Sequence, residues 1–143
     1  MKIYIGMPTY NQQIHAQVVQ NMFDVILKAK EKGDELSISM PSSPFLSLSR
    51  NLIMQNGLDF DWILMWDSDI QVANPEFIYK MIETAYKNDA AMVGLLVRIK
   101  LFDDVQFACA RKIDGVYERL KVAPTKPEEI DVMGAGVSLL NCK

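Results

Sequence analysis

The sequence predicts an α/β domain: a doubly wound, mostly parallel sheet with a C-terminal β-hairpin. Short apolar runs alternate with segments of helical periodicity through the first hundred residues, an order that implies parallel strands joined by right-handed crossovers. The chain has 143 residues, half of them hydrophobic, which suits one compact domain with a real core. Beyond residue 100 the pattern turns β-rich, with Asp114-Gly115 between two strand-like runs. A single domain 1–143 is therefore expected, with βα units in 1–100 and a hairpin and late strand in 101–143.

Lys2 to Met7 reads as the first strand, and Pro8-Thr9-Tyr10-Asn11 breaks it and offers Asn11 as a helix cap. Ile14, Val18, Met22, Ile26 and Ala29 then recur at helical spacing, and Lys28, Lys30 and Lys32 precede Gly33 as at a helix C-terminus. Leu36 to Met40 is a second strand, stopped by Pro41-Ser42-Ser43-Pro44. Ser47 or Ser49 caps a helix with Leu48, Leu52 and Ile53 on its apolar side, ended by Gly57. Trp62 to Trp66 is a third, wholly apolar strand. Asn74-Pro75-Glu76 opens a helix with a cap, a proline at its first position and an acid in its first turn, and Phe77, Ile78, Met81, Ile82 and Ala85 form its stripe.

Ala90 to Val97 reads as a strand covered on both faces, with Arg98 and Lys100 after it. Val105 to Ile113 and Val116 to Val122 form the hairpin. A proline-bounded acidic loop leads to a last strand from Ile130 to Leu140, interrupted by Gly134-Ala135-Gly136.

Composition excludes several functions. The formal net charge is −3 and the basic residues are scattered, which argues against a broad face for nucleic acid or acidic lipid. No apolar run approaches the roughly 20 residues of a membrane helix, and the chain starts directly on a strand, so a soluble, cytoplasmic protein is expected. Cys109, Cys142 and the sole histidine, His15, are far apart in sequence, which indicates neither a zinc site, a disulfide framework nor a Cys-His nucleophile.

The third strand ends in Asp67-Ser68-Asp69. In an extended chain Asp67 and Asp69 point the same way, toward one hard cation or its water shell, and Ser68 points away. Asp59-Phe60-Asp61 is an internal control. Ligands of open α/β sheets bind outside the carboxyl ends of the strands, so the later pair is placed for chemistry and the earlier one reads as a solvated turn.

These motifs together resemble the GT-A-type glycosyltransferases, in particular the large inverting family-two group that uses nucleotide sugars. The resemblance spans nearly the whole chain and rests on Pro8-Thr9-Tyr10-Asn11 after the first strand, Ser49-Arg50-Asn51, Trp66-Asp67-Ser68-Asp69 and Gly134-Ala135-Gly136. It implies a hexosyltransferase-like enzyme. Pro8, Thr9 and Tyr10 would line the base pocket, with Tyr10 packed on the base, and Arg50 would face the nucleotide or its diphosphate. Asp67 and Asp69 would hold a UDP- or GDP-sugar through Mn²⁺ or Mg²⁺, with Ser68 beside them. Gly134, Ala135 and Gly136 would let the backbone approach the donor sugar or the acceptor closely.

Two positions depart from that family. Met40-Pro41-Ser42 stands where it carries an acid that touches the nucleotide, and the chain stops at Lys143, before the family's acceptor-side general base. Asp131 is the one acid near the glycines to set against that role. The chain is thus expected to be a fragment, or a minimal protein completed by a partner or by a second copy. The alternatives are a non-catalytic nucleotide-sugar-binding domain, and a haloacid-dehalogenase-like phosphotransferase with Asp67 as nucleophile, though Gln71 stands where that family prefers threonine or valine.

Overall fold

A computed structural model describes residues 1–99 and 106–142; Lys100, Val105 and Lys143 lie outside them. The elements are β1 (Lys2–Gly6), α1 (Ala16–Lys32), β2 (Glu35–Ser39), α2 (Leu46–Gly57), β3 (Trp62–Trp66), α3 (Phe77–Asn88), β4 (Met92–Gly94), β5 (Cys109–Ile113), β6 (Val116–Arg119), β7 (Val132–Met133) and β8 (Val137–Asn141). They form an α/β domain around a mixed five-stranded sheet ordered β2-β1-β3-β8-β4, with a separate three-stranded sheet ordered β6-β5-β7. β1 pairs in parallel with β2 and β3, whereas β8 runs antiparallel to both of its neighbours, β3 and β4.

Period-two alternation in the strands assigns the helices to two faces. Ile3, Ile5, Trp62, Leu64 and Trp66 pack with Val18 and Val25 of α1 and with Phe77, Ile78, Met81 and Ile82 of α3. Tyr4, Ile63 and Met65 point the other way and pack with Ile53 of α2. β3 is therefore buried at every residue, which is why its sequence reads as a continuous apolar run instead of an alternating one. No described helix is long and apolar enough to cross a membrane.

Several element limits differ from the expectation. α1 starts at Ala16 with His15 at its cap position and no side-chain cap bond. Asn11 is thus not its cap, and the backbone between β1 and α1 includes Gln12 at φ 61°. At α2 neither Ser47 nor Ser49 caps the helix; Ser43 Oγ instead accepts the Phe45 N–H at 3.1 Å, and Ser49 is buried. At α3 the cap position is Glu76, without a side-chain cap bond, and Pro75 and Glu76 precede the helix; Asn74 instead closes the turn before it, its Oδ1 accepting the Glu76 N–H at 2.8 Å and its carbonyl the Phe77 N–H at 3.1 Å. The helical hydrogen-bond pattern begins at Phe77.

The C-terminal third departs most. The strand expected at Ala90 to Val97 is confined to Met92–Gly94. It is the sheet's edge, with Met92 44% exposed. Beyond it the chain turns toward the small sheet, where the Ala108 N–H reaches the Val97 carbonyl at 2.8 Å and Arg98 bridges Phe107. The hairpin forms as β5 and β6. The late strand, however, is two strands in two sheets: β7 pairs with β5 and β8 with β3, and Gly134-Ala135-Gly136 is the passage between them.

Candidate functional site

The carboxyl ends of β1 and β3 lie side by side, because β1 pairs in register with β3 from Ile3↔Trp62 to Gly6↔Met65. α2 runs back from that edge, so its first turns and the residues following β1 and β3 meet there. This convergence brings Arg50 to Asp67.

β3 ends at Trp66, so the two acids stand on a turn and not on extended chain. The Ile70 N–H donates to the Asp67 carbonyl at 3.1 Å and closes that turn. Side-chain alternation therefore does not govern Asp67, Ser68 and Asp69, and the reason given for Asp67 and Asp69 sharing a direction lapses. The loop itself is fixed at four points. Asp67 N–H donates to the Gly136 carbonyl at 2.7 Å, and the Ser68 carbonyl accepts the His15 N–H at 3.1 Å. Trp66 Nε1–H donates to the Ile70 carbonyl at 2.7 Å, and Asn21 Oδ1 accepts the Val72 N–H at 3.0 Å. Asn21 and the backbone of His15 escaped the sequence reading, since neither residue stands in a motif.

Arg50 Nη2 donates to Asp67 Oδ1 at 3.1 Å and to Oδ2 at 3.4 Å. About a quarter of each side chain is exposed, so the pair is partly desolvated. Burial raises the Asp67 carboxyl above its ordinary value; Arg50 opposes that rise by charge and hydrogen bond, and the charge of Asp69 adds to it. An arginine this close normally lowers a carboxylate. Desolvation outweighing it marks a carboxylate held at a cost in its charged form, as functional sites often are. Arg50 Nε and the Ser49 hydroxyl are also buried without a hydrogen-bond partner among the described residues.

Gly136 completes this side of the site. A Cβ placed on it would lie 2.4 Å from Ile70 Cδ1 and 3.7 Å from Asp67 Oδ2, so the passage crosses directly over the acidic loop and a side chain there would press into it. Gly134 belongs to the other end of the passage, its N–H donating to the Ala108 carbonyl, and Ala135, half-buried, lies between them.

The loop after β1 has a structural and an accessible part. Pro8 and Thr9 are buried. Thr9 forms a bridge with Ser42, and its N–H reaches the Pro41 carbonyl at 3.0 Å, which ties this loop to the one after β2. Tyr10 is 74% exposed, with its backbone carbonyl held by Ser42 Oγ. Its ring is free to meet a ligand. Thr9 holds the loop that presents it.

Asp131 is not brought to the carboxylates. Its Oδ2 accepts the Lys112 N–H at 2.8 Å in the small sheet, and it lines a groove of about 980 Å³ between α3, β4 and the 124–131 loop that includes none of Arg50, Asp67, Asp69 and Gly136. Asp61 also has a settled role, since its carboxylate accepts the Lys2 N–H at 2.7 Å and its carbonyl accepts the Cys142 N–H at 3.1 Å. The earlier acid pair thus fastens the amino-terminal edge of the sheet through Asp61, which is more than a solvated turn.

Among the described residues no group of three or more His, Cys, Asp or Glu side chains is gathered to hold a metal ion. Comparison with protein-family models and with curated proteins returns no match.

Proposed function

We propose that this chain holds a nucleotide-sugar donor at the carboxyl edge of its sheet, through a divalent cation on Asp67 and Asp69, and that it acts as a glycosyltransferase. The observation that carries this reading is Asp67 itself. It is a half-buried carboxylate at the end of the central strand β3, raised by desolvation, paired with Arg50 and overlain by the backbone of Gly136. A cation caged by protein alone needs more ligands than two. A Mg²⁺ or Mn²⁺ shared with phosphate oxygens and water needs only one or two carboxylates from the protein, which is what this loop supplies.

When bound, the cation would stabilise the negative charge of the departing nucleoside diphosphate. Arg50 offers the same group a guanidinium, which suits phosphate geometry. Tyr10 offers an exposed ring to a base, and Gly136 lets the late strand's backbone lie directly against the Asp67 loop. The group that deprotonates the acceptor is not assigned to any of these residues.

Calorimetric titration of UDP-, GDP- and CDP-sugars with and without Mn²⁺, repeated on Asp67→Ala and Asp69→Ala, tests the site. Metal-dependent binding that is lost in both variants supports it; binding that survives both sinks it. Donor hydrolysis or transfer in the same samples separates an enzyme from a binding domain. A beryllofluoride adduct on Asp67 would replace this reading with phosphoryl transfer.

A further inference from the structure

We propose that Arg50 is an exchangeable counter-ion: it neutralises Asp67 in the empty site and passes to the donor's diphosphate when a divalent cation takes over the carboxylate. This rests on the donor-site reading above, which already couples metal and nucleotide, and adds an exchange of partners by Arg50 that the reading does not by itself require.

The contact between Arg50 and Asp67 is an incomplete one. Arg50 reaches both carboxylate oxygens through Nη2 alone, at 3.1 and 3.4 Å. The strongest Arg-carboxylate pairs use two nitrogens of the planar fork in parallel. Arg50 Nε is enclosed, and no described acceptor takes its N–H. A buried donor without a partner is costly and rare in a folded protein. The guanidinium is thus held beside the carboxylate with Nε–H unsatisfied where it stands, so the pair with Asp67 does not use its full donor set.

The two members of the pair also differ in freedom. The Asp67 backbone is anchored by its N–H on the Gly136 carbonyl and by its carbonyl in the turn to Ile70. Arg50 extends from α2 on a long side chain. Arg50 has the longer reach of the two side chains.

Charge supplies the coupling. A cation approaching Asp67 and Asp69 meets the positive charge of Arg50, which opposes its entry. A diphosphate draws Arg50 away by offering oxygens that the fork fits better than one carboxylate approached by one nitrogen. Each ligand removes the obstacle to the other, and linkage makes the effect reciprocal.

The test uses the full chain and three proteins: wild type, Arg50→Gln, which removes the charge but keeps a polar side chain of similar stem, and Arg50→Lys, which keeps the charge but loses the fork. Mn²⁺ alone, UDP and GDP alone, and each nucleotide in saturating Mn²⁺ are titrated by calorimetry, with an unfolding curve for each protein. In wild type, Mn²⁺ should tighten the preferred nucleotide about tenfold, an ordinary two-site coupling. Arg50→Gln should bind Mn²⁺ alone several-fold more tightly than wild type and the nucleotide alone more weakly. Arg50→Lys should bind Mn²⁺ alone as wild type does, with reduced coupling, and it carries the test if Arg50→Gln does not fold. A merely structural arginine would not move the two affinities in opposite directions.

Mn²⁺ binding unchanged or weakened in folded Arg50→Gln, or full coupling retained in Arg50→Lys, overturns the exchange and leaves the donor site standing. Wild type without metal-dependent nucleotide binding, or such binding retained in both Asp67→Ala and Asp69→Ala, overturns the donor-site reading and this inference with it.

Discussion

Replacing Gly6 with alanine should lift α2 from the sheet and carry Arg50 away from Asp67. A Cβ on Gly6 would lie 2.1 Å from Ile53 Cγ2, 2.6 Å from Cγ1 and 2.8 Å from Cβ. Carbon atoms in contact sit at about 3.5–4.0 Å, so even the last of these distances is short by roughly 1 Å. A rotamer change cannot relieve that overlap, because the Cβ of Ile53 is fixed to the helix backbone and a β-branched residue in a helix has one strongly preferred rotamer. The helix must therefore withdraw by about the same distance. Overpacking of this kind costs about 1–3 kcal/mol, and a clash with an anchored atom belongs at the upper end. For a domain of this size each kcal/mol moves the melting point by about 2–4 °C, which gives a fall of roughly 6–12 °C in a thermal scan. Ile53→Ala should cost about 2–5 kcal/mol alone. Combined with Gly6→Ala it should cost far less than the sum of the two, since the smaller side chain vacates the space that the new methyl needs. Arg50 is one helical turn before Ile53, so Gly6→Ala should also weaken metal-dependent nucleotide binding. A melting point within about 2 °C of wild type, or strictly additive effects in the double variant, would refute the reasoning.

Two further outcomes follow from single contacts. The raised Asp67 carboxyl means that the folded state binds this proton more tightly than the unfolded chain does. The stability linked to it is fully present below the ordinary value of 3.8 and is lost as pH rises through the higher folded value. Asp67→Asn keeps an acceptor for Arg50 while removing the desolvated charge, so it should stabilise the protein at pH 7 while abolishing nucleotide binding. That advantage should shrink as the pH is lowered toward 3.8; denaturant midpoints at several pH values report it, and a destabilised Asp67→Asn at pH 7 would contradict the argument. Asn74→Ala removes the acceptor of the Glu76 N–H and should cost about 1 kcal/mol, with Asn74→Asp retaining most of the stability. Equal unfolding midpoints for Asn74→Ala and wild type would show that the turn before α3 needs no cap.

The site was legible in part. Asp67 and Asp69 stand out because a five-residue apolar strand delivers them to the edge where α/β sheets bind ligands. Arg50 stands out by its motif, and its partner could have been inferred too. A helix between two parallel strands starts at their carboxyl edge, so a residue in its first turns is near the acids that follow the next strand. The reason given for a shared direction of the two acids fails because a period-two argument was extended past Trp66, where a turn begins. The role of Asn21 was invisible, since its carboxamide serves a backbone N–H at Val72, 51 residues away.

The sequence by itself determined the α/β alternation, the stripes of α1 and α3, the hairpin turn and the placing of Asp67 beyond a buried strand; of the α2 stripe only Ile53 is buried, Leu48 and Leu52 being exposed. Those features follow from local periodicity and from residues whose backbone preferences act within a few positions. Tertiary structure alone decided that β4 is a short edge, that the late strand divides between two sheets, and that Gly136 overlies Asp67. Each of these is a contact between segments remote in the chain. Which strand lies next to which is settled by competition for a place beside β3, and no local pattern of residues records the outcome.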